Sequence, residues 1–170
     1  MKRIIAVLML LTLVIGLFSG CSQNEQEATE QVIKIGIFEP FTGKNASGGK
    51  QEALGIAYAN SIQPTVTIKG TTYKVELVVS DNESSKEKAP TAATTLAEHE
   101  VAVVLGSYGS DESMAGSSVF EAAGIPVVGV NCTNPAVTAG NQHYFRICWL
   151  DTFQGSALAN FAVEHLNAGT

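Results

Sequence analysis

VAVVLGSYGSDESMAGSSVFEAAGIPVVGV, residues 101–130, decides how this chain folds. It opens on residues 101–105, an apolar run too short for a helix, and closes on a second such run at residues 125–130. Short runs rich in branched residues read as strands buried on both faces. Between them, residues 111–123 read as a helix with Met114 and Phe120 as core candidates, and the segment stops at Gly124, a residue that readily takes the left-handed cap. Pro126 is tolerable only near the start of its strand. Strand, helix and strand in so short a span form a crossover unit, and the strands of such a unit run parallel.

The same alternation extends in both directions. Residues 32–38 read as a first buried strand, and residues 48–62 as a helix with Leu54, Ala57, Tyr58 and Ile62 on one face. Residues 65–68 and 73–80 flank Gly70 as a hairpin, and Pro90 sits near the start of a helix carrying Ala93, Leu96 and Ala97. Residues 144–150 give a last strand before a helix over 152–167. The fold class is therefore α/β, a doubly wound and mostly parallel sheet with helices on both faces. Ligands of such sheets bind beyond the C-terminal ends of the strands, which singles out the loops at 39–47, 81–85, 106–110 and 131–142.

The N-terminus predicts where the chain works. Lys2 and Arg3 precede an apolar run from Ile4 to Leu17, and Phe18-Ser19-Gly20-Cys21 ends it with small residues before a cysteine, the pattern of a lipoprotein export signal. The run is too short for a stable span, which needs roughly 20 apolar residues. Cleavage of residues 1–20 would leave Cys21 as the lipid attachment point, on the extracytoplasmic face of the cell membrane, at the cell surface or in the periplasm. An ordinary secreted protein and an uncleaved anchor are the alternatives. Residues 21–31 are polar, acidic and aperiodic, a flexible spacer.

Charge and composition exclude several functions. The chain has ten Lys and Arg against sixteen Asp and Glu, a net charge of -6, and two of the cations are Lys2 and Arg3 in the signal. No basic cluster is left to meet phosphates, so nucleic acid is not an expected partner. The three His are not at ligand spacing, so no metal is expected. Gly43 and Gly48 have P-loop spacing, but Gly49 stands where Lys is required. Neither Ser107 nor Ser110 has the glycines of a nucleophile elbow, and no base is placed beside Cys132. No cofactor and no catalytic residue is expected. Whether Cys132 and Cys148 pair stays open.

Two loops carry the binding chemistry. Gly106-Ser107-Tyr108-Gly109-Ser110 joins a strand to a helix N-terminus, where free amides, the helix dipole and the Ser110 hydroxyl suit a carboxylate or phosphate. Ser110 or Asp111 acting only as a helix cap is the competing reading. Asn131-Cys132-Thr133-Asn134-Pro135 follows the neighbouring strand and brings acceptors that suit an ammonium group.

Lys34-Ile35-Gly36-Ile37 with Pro40-Phe41-Thr42-Gly43, residues 101–110, Gly124-Ile125-Pro126-Val127, Thr133-Asn134-Pro135, Phe145-Arg146, and Asp151 with Gln154-Gly155 resemble the branched-chain (Leu/Ile/Val) amino-acid-binding lipoproteins of ABC importers, type I periplasmic binding proteins. The resemblance is colinear from Val32 to Thr170. It implies two α/β lobes closing on an amino acid, with Ser110 and the amides of Gly109 and Tyr108 holding the carboxylate, and Thr133 and the backbone near Asn131 helping to hold the ammonium. It also implies ABC permease subunits as partners, a monomer, and no enzymatic activity. On this alignment residues 32–150 are an N-terminal ligand-binding lobe lacking its return segments and residues 151–170 the start of the second lobe, an N-terminal fragment. Gly48 stands where relatives place an aromatic residue, and Asn131 where a small one is usual, so a small or polar amino acid is expected to bind at least as well as leucine. A sensor domain of a signalling receptor and a secreted α/β hydrolase are the alternative readings.

Overall fold

The computed structural model describes residues 31–169. The export signal, Cys21 and the spacer as far as Glu30 lie outside the described residues. Branched residues at Val32–Glu39 form β1, followed by helix α1 (Ala46–Ile62), strands β2 (Thr65–Ile68) and β3 (Thr71–Asp81), and helix α2 (Ala89–Glu98). Strand β4 (Val103–Gly106), helix α3 (Ser110–Ala122), strand β5 (Val127–Gly129), a 3-10 turn at Pro135–Val137, strand β6 (Tyr144–Arg146) and helix α4 (Asp151–Leu166) complete the order.

The strands form one sheet in the order β2-β3-β1-β4-β5-β6. Every neighbouring pair is parallel except β2 with β3. Lys69 and Gly70, with φ of 50° and 85°, make the tight turn of that hairpin, since consecutive left-handed residues match the twist of the flanking strands. Strand β6 stops at Arg146 rather than running to residue 150: the amide of Ile147 still reaches the Gly129 carbonyl at 3.1 Å, but β5 ends there and offers no further partner.

The chain steps from β1 through α1 to β3 on one side, then crosses back over β1 through α2 to β4 on the other. Right-handed crossovers in opposite directions place α1 on one face of the sheet and α2 with α3 on the other. The C-terminal ends of β1 and β4 therefore flank the reversal point, where an open α/β sheet leaves a crevice.

The α2/α3 face is closed. Phe38, Leu96, Val104, Phe120 and Val127 have no exposure at all. The rings of Phe38 and Phe120 meet edge to face with centroids 5.3 Å apart, and Gly116 makes room for them, because a Cβ there would lie 2.8 Å from the Phe38 ring. The α1 face is open. Leu54, Tyr58 and Ile62 were expected to pack on the sheet, yet they are 70%, 66% and 66% exposed. Helix α1 instead touches down through Gly49 and Ala53, its buried residues. Gly49 approaches Pro40 so closely that a Cβ would sit 2.4 Å from the Pro40 carbonyl oxygen, which turns the bulky stripe outward. A groove of about 570 Å³ remains beside α1, lined by Ile35, Ile56, Leu77, Leu105, Val128 and Val130 among others. Helix α4 buries no residue.

Candidate ligand-binding site

The loops at the crevice are tied to one another by specific hydrogen bonds. The Asp81 carboxylate, at the end of β3, accepts from the amides of Phe41, Thr42 and Glu83 and from the Thr42 hydroxyl, at 2.8 to 3.3 Å. Burial pulls this carboxyl upward, but those donors together hold it below the usual aspartate range. Ser84 accepts from the Asn45 amide at 3.0 Å and donates to the Thr42 carbonyl at 2.7 Å. Buried Asn82 donates to the Ser107 hydroxyl at 2.9 Å. The loops at 39–47, 81–85 and 106–110 thus behave as one rim.

Of the residues expected to hold a ligand, the structure joins Ser110 to the 131–134 loop. Ser110 is the first residue of α3, and its hydroxyl oxygen accepts the Asn134 amide at 3.2 Å. That bond leaves the hydroxyl proton available to a ligand oxygen. Thr133 is half-buried, and its carbonyl accepts the Asp151 amide at 3.0 Å where α4 begins. Asn131 is exposed at the end of the neighbouring strand.

Tyr108 and Gly109 are placed differently from the reading of outward amides. The Tyr108 amide points inward and donates to Glu39 at 2.7 Å. Gly109 is the N-cap of α3, and the Glu112 carboxylate lies so close to it that a Cβ would overlap its oxygen. A carboxylate three residues into a helix and folded back on its cap takes the position that favours negative charge. What Tyr108 does present is its ring, which lies directly over Gly48, where an added Cβ would fall inside contact distance of the ring carbons. The ring that covers Gly48 thus comes from the 106–110 loop.

Among the described residues no imidazole or carboxylate is hydrogen-bonded to the Ser110 hydroxyl. Cys132 is fully buried, and burial pushes its thiol up, away from the reactive thiolate. Both Cys132 and Cys148 are free thiols. No group of three His, Cys, Asp or Glu among the described residues is placed to hold a metal ion, and none of the described helices is long and apolar enough to cross a membrane.

With that geometry in place, the comparison with known proteins is direct. A family model for periplasmic binding proteins matches residues 32–170. The chain belongs to the periplasmic binding protein family. It is 33% identical over 139 residues to an amino acid binding protein of Pseudomonas aeruginosa, a match spanning 80% of this chain and 37% of that protein. A Leu/Ile/Val-binding protein homolog of Brucella abortus is 28% identical over 135 residues, covering 78% of this chain and 36% of the relative. Among solved structures, a leucine-binding protein from Thermotoga maritima superposes with a TM-score of 0.73 at 36% identity, over 81% of this chain and 38% of that one. A branched-chain amino acid transporter substrate-binding protein from Streptococcus pneumoniae, solved with isoleucine, gives 0.71 at 29% identity, over 81% and 40%. This periplasmic-binding-protein chain therefore spans about two-fifths of the length of the relatives it matches.

Other groups that shape this periplasmic-binding-protein rim were not assigned roles from the sequence. Arg146 donates from Nη1 to the carbonyls of Cys132 and Asn134 at 2.8 Å, and from Nη2 to the Pro135 carbonyl at 3.2 Å and the Thr138 hydroxyl at 2.8 Å. A planar guanidinium can satisfy such a curved set of acceptors where an ammonium could not. Tyr144, whose phenol is raised by burial, donates to the Gly106 carbonyl at 2.9 Å. Nothing local to Arg146 or Tyr144 announces these bonds, because their partners lie on other segments. Glu112 does not stand out while Ser110 or Asp111 is taken as the cap; with Gly109 as the N-cap it is the acid three residues on, the place of a capping signal.

Proposed function

We propose that this chain supplies ligand-gripping elements of an extracytoplasmic substrate-binding protein that captures an amino acid for an ABC importer. The observation that carries the reading is the join between the Ser110 hydroxyl and the 131–134 loop, at the C-terminal ends of the adjacent strands β4 and β5. A hydroxyl at a helix N-terminus beside an acceptor loop offers a donor side and an acceptor side a short distance apart, the pattern a zwitterion needs. The carboxylate would meet Ser110 and the first amides of α3; the ammonium would meet the Thr133 hydroxyl and the backbone near Asn131, since the carbonyls of Cys132, Thr133 and Asn134 already accept from Arg146 and the Asp151 amide. With Tyr108 covering Gly48, the side chain of the ligand would meet an aromatic wall, which suits an apolar side chain. The relatives named for leucine, isoleucine and valine support this class.

In this reading Cys21 carries the lipid, the acidic spacer lifts the folded part from the membrane, permease subunits receive the ligand, and the protein acts as a monomer without catalysis. Residues 32–150 form a first lobe, and residues 151–170 begin a second. Nuclear magnetic resonance titration of the 170-residue chain with leucine and with alanine tests it. Amide shifts centred on Ser110, Thr133 and Asn134 that vanish in Ser110→Ala are expected, with weak affinity because a single lobe cannot close. Shifts centred instead on the groove at Ile35 and Leu105 would overturn it.

A further inference from the structure

Glu39 ends β1 at the crevice and has no exposed surface. One of its oxygens accepts the Tyr108 amide, while Oε1 has no partner. Glu52 reaches the same spot from α1, within hydrogen-bonding distance of Glu39, and its Oε2 is likewise buried and unpartnered. Ionised carboxylates only accept. Two of them facing each other with unpartnered oxygens require a proton between them or a cation beside them, and no cation lies against either carboxyl among the described residues. The charged and titratable neighbours are of the wrong sign: Asp81 pairs with Glu39 in the β1/β3 register, Glu112 lies at the N-terminus of α3, and Tyr144 reaches the adjacent Gly106 from β6. Lys44 and Lys50, on the loop and helix nearest in sequence, are exposed.

We infer that Glu39 and Glu52 share one proton, and that this acid–carboxylate pair is a positioning device: in neutral and acid solution the protonated pair holds α1 against the 106–110 loop and keeps the Tyr108 ring over Gly48, and in alkali repulsion between the two charged carboxylates drives α1 and that loop apart. Glu39 is well placed for this, since it touches both α1 and the 106–110 loop and contacts no expected ligand atom. Burial first, then the Glu52 charge and the hydrogen bond to it, push Glu39 from 4.5 up to about 10 against a smaller downward pull from the Tyr108 amide, which favours the charged form, and burial raises Glu52 as well. The folded chain thus keeps a proton that the unfolded chain has released above 4.5. Folding takes up that proton, so its contribution is full in acid and is lost progressively as pH rises toward the folded value. The pair stands on its own geometry; its consequence for ligand affinity rests on the binding site proposed above.

The test is a carbon-13 titration of the glutamate side-chain carboxyls in the full 170-residue chain, from mildly acid to alkaline pH. One carboxyl is expected to titrate several pH units above the rest, the Tyr108 amide resonance moving in step with it, and both effects should disappear in Glu39→Gln. Glu52→Gln, which leaves Glu39 buried and the Tyr108 bond in place, should move the high titration down by removing the neighbouring charge. Because the wild-type titration alone reads the shared proton, an unfolded variant does not remove the test. All glutamates titrating together, or a high-titrating carboxyl that joins the others on addition of calcium chloride, would overturn the inference. No leucine is needed, so the pair can hold even where the ligand assignment fails.

Discussion

The two faces of this sheet are built from the same strands and end in opposite states. On the α2/α3 side, Phe38, Leu96, Val104 and Phe120 are sealed, and glycine at 116 is matched to the ring it touches. On the α1 side the strands present residues just as apolar, Ile35, Leu77, Leu105 and Val128, but they line an open groove. Helix α1 meets the sheet through Gly49 and Ala53, and its own apolar stripe faces away. Apolar alternation on a strand therefore says that a face wants cover, not that neighbouring chain provides it. The closed face carries the stability of the described residues, and the rim at the strand ends carries the proposed binding site.

The largest effect is expected from Phe120→Ala on the closed face. Truncating a fully buried aromatic costs about 3–5 kcal/mol, whereas Leu54→Ala on the open face should stay within about 0.5 kcal/mol. Urea unfolding of both variants measures the contrast, and equal losses would break it. Next comes the rim. Arg146→Lys keeps the charge but cannot reach the same carbonyls, and a loss of about 2 kcal/mol is expected from charge-assisted bonds worth about 1.5–3 kcal/mol. Amide exchange should quicken first between residues 132 and 138; unchanged exchange would show that the guanidinium is dispensable.

The same substitution on the two faces should then differ in sign. Gly116→Ala would place a Cβ 2.8 Å from the buried Phe38 ring, and overpacking of about 1–3 kcal/mol outweighs the gain in helix propensity. Gly55→Ala in α1 meets no atom within 4 Å and should stabilise by about 0.8–1 kcal/mol. Thermal midpoints moving the same way would refute the difference between the faces. The smallest effect concerns Asp81. Its carboxyl is held below the ordinary range, so the stability it contributes is present above the unfolded value and is lost as pH falls. Asp81→Asn should therefore narrow the gap between urea midpoints measured in acid and at neutral pH, and an unaltered gap would count against the role of Asp81 in tying the loops.

Much of the fold was legible because its signals are local. Residues 101–130 contain strand, helix, cap and strand in order, and Gly124 takes the left-handed conformation with φ of 66° as its position after α3 implied. The hairpin around Gly70 follows from the turn chemistry of Lys69 and Gly70. Helix α1 shows where periodicity runs out. The stripe at Leu54, Tyr58 and Ile62 has helical spacing and the segment is a helix, but spacing cannot say which side meets the sheet, and the close approach of Gly49 to Pro40 decided it. At the rim, Ser110 and the loop containing Thr133 could be nominated from their places after adjacent strands. That the Tyr108 amide turns inward to Glu39 could not, since its partner lies on the first strand.

By itself, then, the sequence determined the alternation of strands and helices, the parallel crossovers, the loops at the strand ends and the family, because each depends on residues close together along the chain or on motifs in a fixed order. Only the tertiary structure decided that one face closes and the other stays open, that the Tyr108 ring lies over Gly48, that Arg146 staples the 132–138 loop, and that Glu39 meets Glu52. Those outcomes depend on how crossovers bring distant segments to one place. A buried carboxyl also reveals nothing of its proton until the groups around it are known.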